Sequence, residues 1–190
     1  SAASDVYKRQ DGYFRTGDAG VIDEKSGDLL VIDRAKDVGS MADGTAYAPQ
    51  FIENKLKFSP FISEAVSFGD GRQFVSAMIA IDQSTVGNWA EKNGVNFTNY
   101  MDLSQKDEVR GLISNEIARI NGTLPDSVRV KRFLLLAKDL DADDSEITRT
   151  RKLRRAFIAE RYEPVINAFY SSMTEVDLRT EVTFEDGRKS

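Results

Sequence analysis

The chain has 190 residues, 41% of them hydrophobic and 30% charged, with a formal charge of −5, the balance of an ordinary globular protein. It contains no cysteine and no histidine, which excludes disulfides, thiolate and imidazole metal sites, cysteine nucleophiles and histidine-based triads. Its acidic balance argues against a general binder of nucleic acid or of anionic membrane, and no apolar run approaches the ~20 residues that span a bilayer.

Residues 1–10, SAASDVYKRQ, have no apolar pattern joining them to the next segment and resemble a translated sequencing-adapter read-through. They are read as a non-native leader, with the natural protein continuing upstream. No signal-peptide pattern is present, so the expected location is cytoplasmic or peripheral to a membrane.

GVID and LLVID flank EKSGD over residues 20–33, two apolar runs around a Gly-Asp turn, which predicts a β-hairpin. DRAKD, residues 33–37, is a charged connector, and residues 38–49 form a Gly-rich loop without helical period. Pro49 suits a first helical turn; Phe51, Ile52 and Leu56, with the stem of Lys55, give one apolar face. Strands are predicted over 62–69 and 73–82 around Asp70-Gly71-Arg72, a second hairpin.

Residues 84–94 read as a short helix with Trp89 buried. Over residues 104–124, Val109, Leu112, Ile113, Ile117 and Ile120 recur at helical spacing, and Ser104 with Asp107 resembles a capping box with a shorter acid. Residues 128–137 read as a strand and 138–150 as an acidic loop. A last helix over 151–172 turns Leu153, Phe157, Ile158, Val165, Ile166 and Phe169 to one face, with Pro164 kinking or interrupting it. Residues 174–190 alternate like a strand or a loosely attached tail. The order predicts an α+β domain after residue 36, preceded by a hairpin that cannot bury a core alone.

Three polar features stand out: Asp18 closing DGYFRTGD, Arg34 and Lys36 in DRAKD, and Lys152 in ITRTRKLRR. Each has a plain structural reading. Asp18 fits a turn, Arg34 fits a surface pair with Asp33 or Asp37, and the basic run around Lys152 fits a solvated face.

Taken together and in order, DGYFRTGDAG, VIDRAKD, DGTAYAPQFIENKLKFSPFISEAVSFGDGRQFVSAMIAID and EITRTRKLRRAFIAERYEPVINAFY resemble the C-terminal part of the adenylate-forming (AMP-binding) enzymes, and within them the long-chain fatty acyl-CoA synthetases. The resemblance covers residues 11 to about 171. It implies that residues 11–35 end a large adenylation domain, that 36–171 form a C-terminal α+β lid domain, and that 172–190 are a tail. It implies fatty acid, ATP and CoA as substrates, with acyl-AMP as intermediate. Asp18 and Arg34 would contact the ribose of ATP, Lys36 would be the hinge, Lys152 the adenylation lysine, and Gly44 part of the loop lining the CoA passage.

The chain departs from the pattern in places. Arg149 and Arg151 stand where the superfamily has Pro and Gly, Thr45 where a Glu is usual, and Asp43 where an Asn is usual. A phosphate loop ending in Lys, the Mg²⁺-binding Glu and the acyl pocket would lie upstream, in a missing N-terminal adenylation domain of the same chain, so the fragment alone is expected to be inactive. Two rival readings stay open: another adenylate-forming ligase for an aryl or shorter acid, and a degenerate, non-catalytic binding module of the same fold. A small free-standing interaction domain is a third, and requires residues 11–35 to pack without a missing partner.

Overall fold

A computed structural model describes residues 16–22 and 26–171. Residues 1–10 and 172–190, read from the sequence as leader and tail, lie outside the described residues. Strands β1 (Asp18–Ile22) and β2 (Leu29–Arg34) pair antiparallel, with a bulge between Ala19 and Gly20. The two-residue strands β3 (Gly39–Ser40) and β4 (Ala46–Tyr47) form a small ribbon. Helix α1 (Pro49–Leu56) comes next, with its proline in the first turn as its fixed φ favours.

The centre is a three-stranded sheet in the order β5 (Ile62–Phe68), β6 (Val75–Ile81), β7 (Val130–Leu135). β5 runs antiparallel to β6, and β7 parallel to it. The parallel crossover holds α2 (Gln83–Lys92), α3 (Tyr100–Ser104) and α4 (Asp107–Asn121). The described chain ends in α5 (Arg155–Arg161) and α6 (Glu163–Phe169).

Every residue of β6 is buried, as a central strand covered on both faces requires. The pleat sends Val75, Ala77, Ile79 and Ile81 into one apolar layer with Leu56, Val86 and Ile113. Met78 and Ala80 enter the other, with Val66, Ile158, Val165 and Phe169. The molecule is therefore helix, sheet, helix in three layers, and the α+β expectation holds. The hairpin stands apart from both layers: Ile22 and Leu29 are 69% exposed and Val31 66%.

Several expectations are corrected. Ser104 does not cap the long helix. It is the last residue of α3, buried, and its hydroxyl donates back to the Met101 carbonyl (3.0 Å). Asn99 caps α3 by accepting from the Asp102 N–H (2.9 Å), and α4 starts afresh after Lys106. Trp89 is half-buried against the core rather than enclosed. The predicted last helix is two helices broken at Tyr162, with Pro164 in the first turn of the second. Leu153 precedes them, in a β-bridge with Ile147.

The central strand sets the stability. Ile79→Ala should cost about 2–5 kcal/mol in urea unfolding, the penalty of a cavity in a packed core. Phe58→Ala, at a side chain 76% exposed, should change stability by less than about 0.5 kcal/mol.

Candidate functional site

The β1–β2 register places Asp18 directly opposite Arg34. Their side chains meet, Arg34 Nη1 to Asp18 Oδ1 at 2.9 Å, and Arg34 also reaches the Thr16 carbonyl at 3.4 Å. The partner foreseen for Arg34 on plain structural grounds, Asp33 or Asp37, is replaced by Asp18. Both members of the pair are open to solvent, Arg34 at 59% of its side chain and Asp18 at 33%. Such a pair contributes about 0–1 kcal/mol, so a competing ligand can separate it cheaply.

Asp33 turns inward instead, 7% exposed. Its carboxylate accepts from the Arg34 N–H (2.7 Å) and from the Gln50 N–H in the first turn of α1 (2.9 Å). It thereby satisfies one of the amides that a helix start leaves unpaired. Lys36 lies in the exposed turn between the hairpin and the rest, where Asp37 N–H donates to the Arg34 carbonyl at 2.8 Å.

Lys152 comes from the far end of the chain. Ile147 and Leu153 bridge, Thr148 N–H donates to the Lys152 carbonyl (2.8 Å), and Lys152 N–H donates to Thr148 Oγ1 (3.0 Å). The result is a narrow loop with exposed Lys152 near its tip. Arg151 sits in this turn at φ +57°, the left-handed region that favours glycine. The arginine carries this conformation at a cost of about 1–2 kcal/mol.

Beneath the loop is a buried ion pair. Glu53, 2% exposed on α1, accepts both prongs of the Arg155 guanidinium, one at 2.7 Å. It also accepts from the Ser67 N–H (2.8 Å) and hydroxyl (3.1 Å), and Ser67 shares a hydrogen bond with Tyr47 (2.8 Å). Burial pushes the Glu53 carboxyl up while the Arg155 fork and Ser67 pull against it; the two-pronged geometry is that of an ionised pair. Burial also pushes the Tyr47 hydroxyl up.

These parts enclose a cleft of about 890 Å³ lined by Gly17, Arg34, Lys36, Glu53, Lys152 and Arg155 among others. Six basic side chains line it against three acidic ones, in a chain whose formal charge is −5. Lys36, Arg151 and Lys152 make no ion pair among the described residues, whereas Lys57 is held by Glu64 (2.9 Å). The cleft is thus a local positive field able to hold a polyanion.

The structure brings Arg34, Lys36 and Lys152 to one cleft, with Asp18 at its rim through Arg34. Gly44 is not there: it tops the β3–β4 ribbon at φ +85°, where its N–H donates to the Met41 carbonyl (2.9 Å). The ribbon docks on the β5–β6 turn, Ser40 N–H donating to Asp70 Oδ1 (2.9 Å). A second, smaller cleft of about 260 Å³ adjoins the ribbon and shares Lys36, Asp37 and Arg155 with the first.

Sequence reasoning missed Glu53 and Arg155. The available signal was a carboxylate between Ile52 and Leu56 on a face otherwise apolar. The carboxylates Glu53 and Glu64 are committed to Arg155 and Lys57, and no group of three or more acidic side chains that could hold a metal occurs among the described residues.

The AMP-binding enzyme C-terminal domain family matches residues 36–174. The chain is similar to the long-chain-fatty-acid–CoA ligase FadD15 of Mycobacterium tuberculosis, 32% identical over 162 residues, covering 85% of this chain and 27% of that protein. A putative fatty-acid–CoA ligase of the same species, fadD11, is 33% identical over 173 residues, covering 90% of this chain and 29% of its own. The fold is also that of the adenylation domain of a carboxylate reductase from Mycobacterium chelonae, with a TM-score of 0.63 at 19% identity over 89% of this chain and 25% of that one. The chain thus spans between a quarter and a third of the length of these relatives. The matches agree with the resemblance carried by the motifs.

Glu53→Ala should cost about 3–5 kcal/mol in chemical denaturation, because it strands the Arg155 guanidinium in a mostly buried site. The double variant Glu53→Gln with Arg155→Met should cost less than the single one, since it removes both charges.

Proposed function

The chain belongs to the AMP-binding enzyme C-terminal domain family, and from that premise we propose that it is the C-terminal part of an ATP-dependent long-chain fatty acid–CoA ligase. A fatty carboxylate attacks the α-phosphorus of ATP and releases pyrophosphate; the CoA thiol then displaces AMP from the acyl-adenylate. The observation that carries this reading is the convergence of Arg34, Lys36 and Lys152, from opposite ends of the fold, on one basic cleft of an acidic chain.

The first step gathers negative charge about phosphorus, so positioned cations do most of the work. Lys152, with no ion-pair partner among the described residues and placed near a loop tip, reaches the carboxylate and the α-phosphate. Asp18 releases Arg34 and accepts from the ribose hydroxyls, with Arg34 beside it; charge-assisted bonds of this kind contribute about 1.5–3 kcal/mol each. Lys36 is the pivot about which residues 36–171 turn as a lid against residues 11–35 and the adenylation domain upstream. Gly44 carries the ribbon that lines the CoA passage. Mg²⁺ would be held by the upstream domain. No helix among the described residues is long and apolar enough to cross a membrane; a cytoplasmic enzyme drawing its acid from a membrane surface belongs to the same reading.

The test uses the complete reading frame that encodes this chain. Fatty-acid-dependent ATP–pyrophosphate exchange is expected with long-chain acids, and Lys152→Ala should lower it about 10²–10³-fold. Exchange only with aryl or short acids would move the substrate class. Exchange unaffected by Lys152→Ala would take catalysis off this lysine. Absence of exchange with any acid, in a folded protein that binds ATP, would leave a non-catalytic module.

A further inference from the structure

The acidic loop 138–150 holds one residue unlike its neighbours. Glu146 is fully buried, at 0% exposure, in a stretch whose other acids are exposed or half-exposed. A carboxylate taken wholly out of water must be matched by donors, and Glu146 is. Tyr162 Oη donates to Oε1 at 2.6 Å. Lys138 Nζ donates to Oε2 at 3.1 Å, and the Asp141 N–H donates to it at 3.2 Å. Arg161 Nη1 stands 3.6 Å from Oε1. Lys138 is also held by Asp144. The donors come from three places: the exit of β7, the loop itself and the break between α5 and α6.

The backbone of the same residue is the base of the Lys152 loop. Arg154 N–H donates to the Glu146 carbonyl (2.9 Å), the Ile147–Leu153 bridge lies one step further out, and the Thr148–Lys152 bonds lie beyond that. The incoming leg is therefore pinned through the Glu146 side chain, as the outgoing leg is pinned through Arg155 on Glu53. Lys152 itself pairs with neither carboxylate. Its position is inherited from both.

We propose that Glu146 is a positioning residue for Lys152: its buried carboxylate fixes the loop so that the lysine stands at the reacting carboxylate and phosphate. This rests on the ligase reading. A misplacement of about 1 Å at a reacting group can cost on the order of 10²-fold in rate, so loosening one leg should be visible in chemistry before it is visible in fold.

Two variants test it. Glu146→Gln keeps the volume and removes the charge that Lys138 and Arg161 face; Tyr162→Phe removes one donor only and serves if the first fails to fold. In the complete enzyme, per folded molecule, acyl-adenylate formation should fall at least about 10-fold at saturating ATP and acid with KM little changed. Thioester formation from supplied acyl-adenylate should keep the wild-type rate, since under this reading that step does not use Lys152. In the same complete enzyme, hydrogen exchange at the Lys152 and Arg154 amides should quicken about 10-fold while the β6 amides keep their protection.

Equal loss in both half-reactions, tracking the folded fraction, would make Glu146 merely structural and overturn the proposal. So would loop amides and adenylation that both stay at wild-type values. If wild type shows no exchange at all, the ligase reading fails; if wild type is active, Lys152→Ala is not, and Glu146→Gln is, this inference alone fails.

Discussion

The carboxylate of Glu53 is the contact on which the site depends. It lies on α1, 2% exposed, and takes donors from β5 through Ser67 and from α5 through Arg155. Removing a carboxylate from water costs several kcal/mol unless charge and hydrogen bonds replace the lost solvent, and here both do. The energetic return over an apolar contact is small, but the geometric consequence is large. A two-pronged guanidinium contact fixes orientation as well as distance, and α1, β5 and α5 are held in one arrangement. Asp33 does the same at the other end of α1, accepting the Gln50 N–H from the hairpin side. Helix α1 is thus the rod joining the hairpin that carries Asp18 and Arg34 to the loop that carries Lys152.

Around that frame the charges are sorted. The chain is acidic as a whole, yet the cleft is basic. The cations that hold the fold are neutralised: Arg155 by Glu53, Lys57 by Glu64. Those without an ion-pair partner among the described residues, Lys36, Arg151 and Lys152, line the opening. A cation that already has a buried carboxylate gains little from an incoming phosphate, whereas an unpaired one gains more.

How much could be read from the sequence depends on the range of the interactions involved. Both hairpins were legible because Gly and Asp turns act within four residues, and the break just before Pro164, at Tyr162, because a proline cannot donate its amide. Ser104 misled because its hydroxyl had a nearer use: Asn99 caps α3, and Ser104 closes that short helix on Met101. Leu153 misled because its pairing with Ile147 outranks the helical period. Glu53 went unread for another reason, although its place between Ile52 and Leu56 on an apolar face was a signal. A buried carboxylate is defined by its donors, and Arg155 is 102 residues from Glu53. The motifs nonetheless singled out Arg34, Lys36 and Lys152, three of the residues that meet at the cleft, since the order of four local patterns carries fold information that no single pattern holds.

The same contacts set what a rotation at Lys36 would have to break. Ala35 N–H donates to the Gly17 carbonyl (2.8 Å) as the hairpin's last link, so the residues up to 35 move with the hairpin. Glu53, Ser67 and Arg155 bind α1 to the sheet and to α5, so the residues from Pro49 onward move with the lid. Two bonds cross the pivot: the Gln50 N–H to Asp33, and the Asp37 N–H to the Arg34 carbonyl (2.8 Å). A bond to a charged acceptor contributes about 1.5–3 kcal/mol, and the Asp18–Arg34 pair, already on the hairpin, adds nothing across the pivot. The cost is modest beside the differential affinity a nucleotide can supply between two states. Under the proposed function, Asp33 is the residue through which one arrangement of the lid is held, and Lys36, free of ion pairs among the described residues, is the natural place for the backbone to turn.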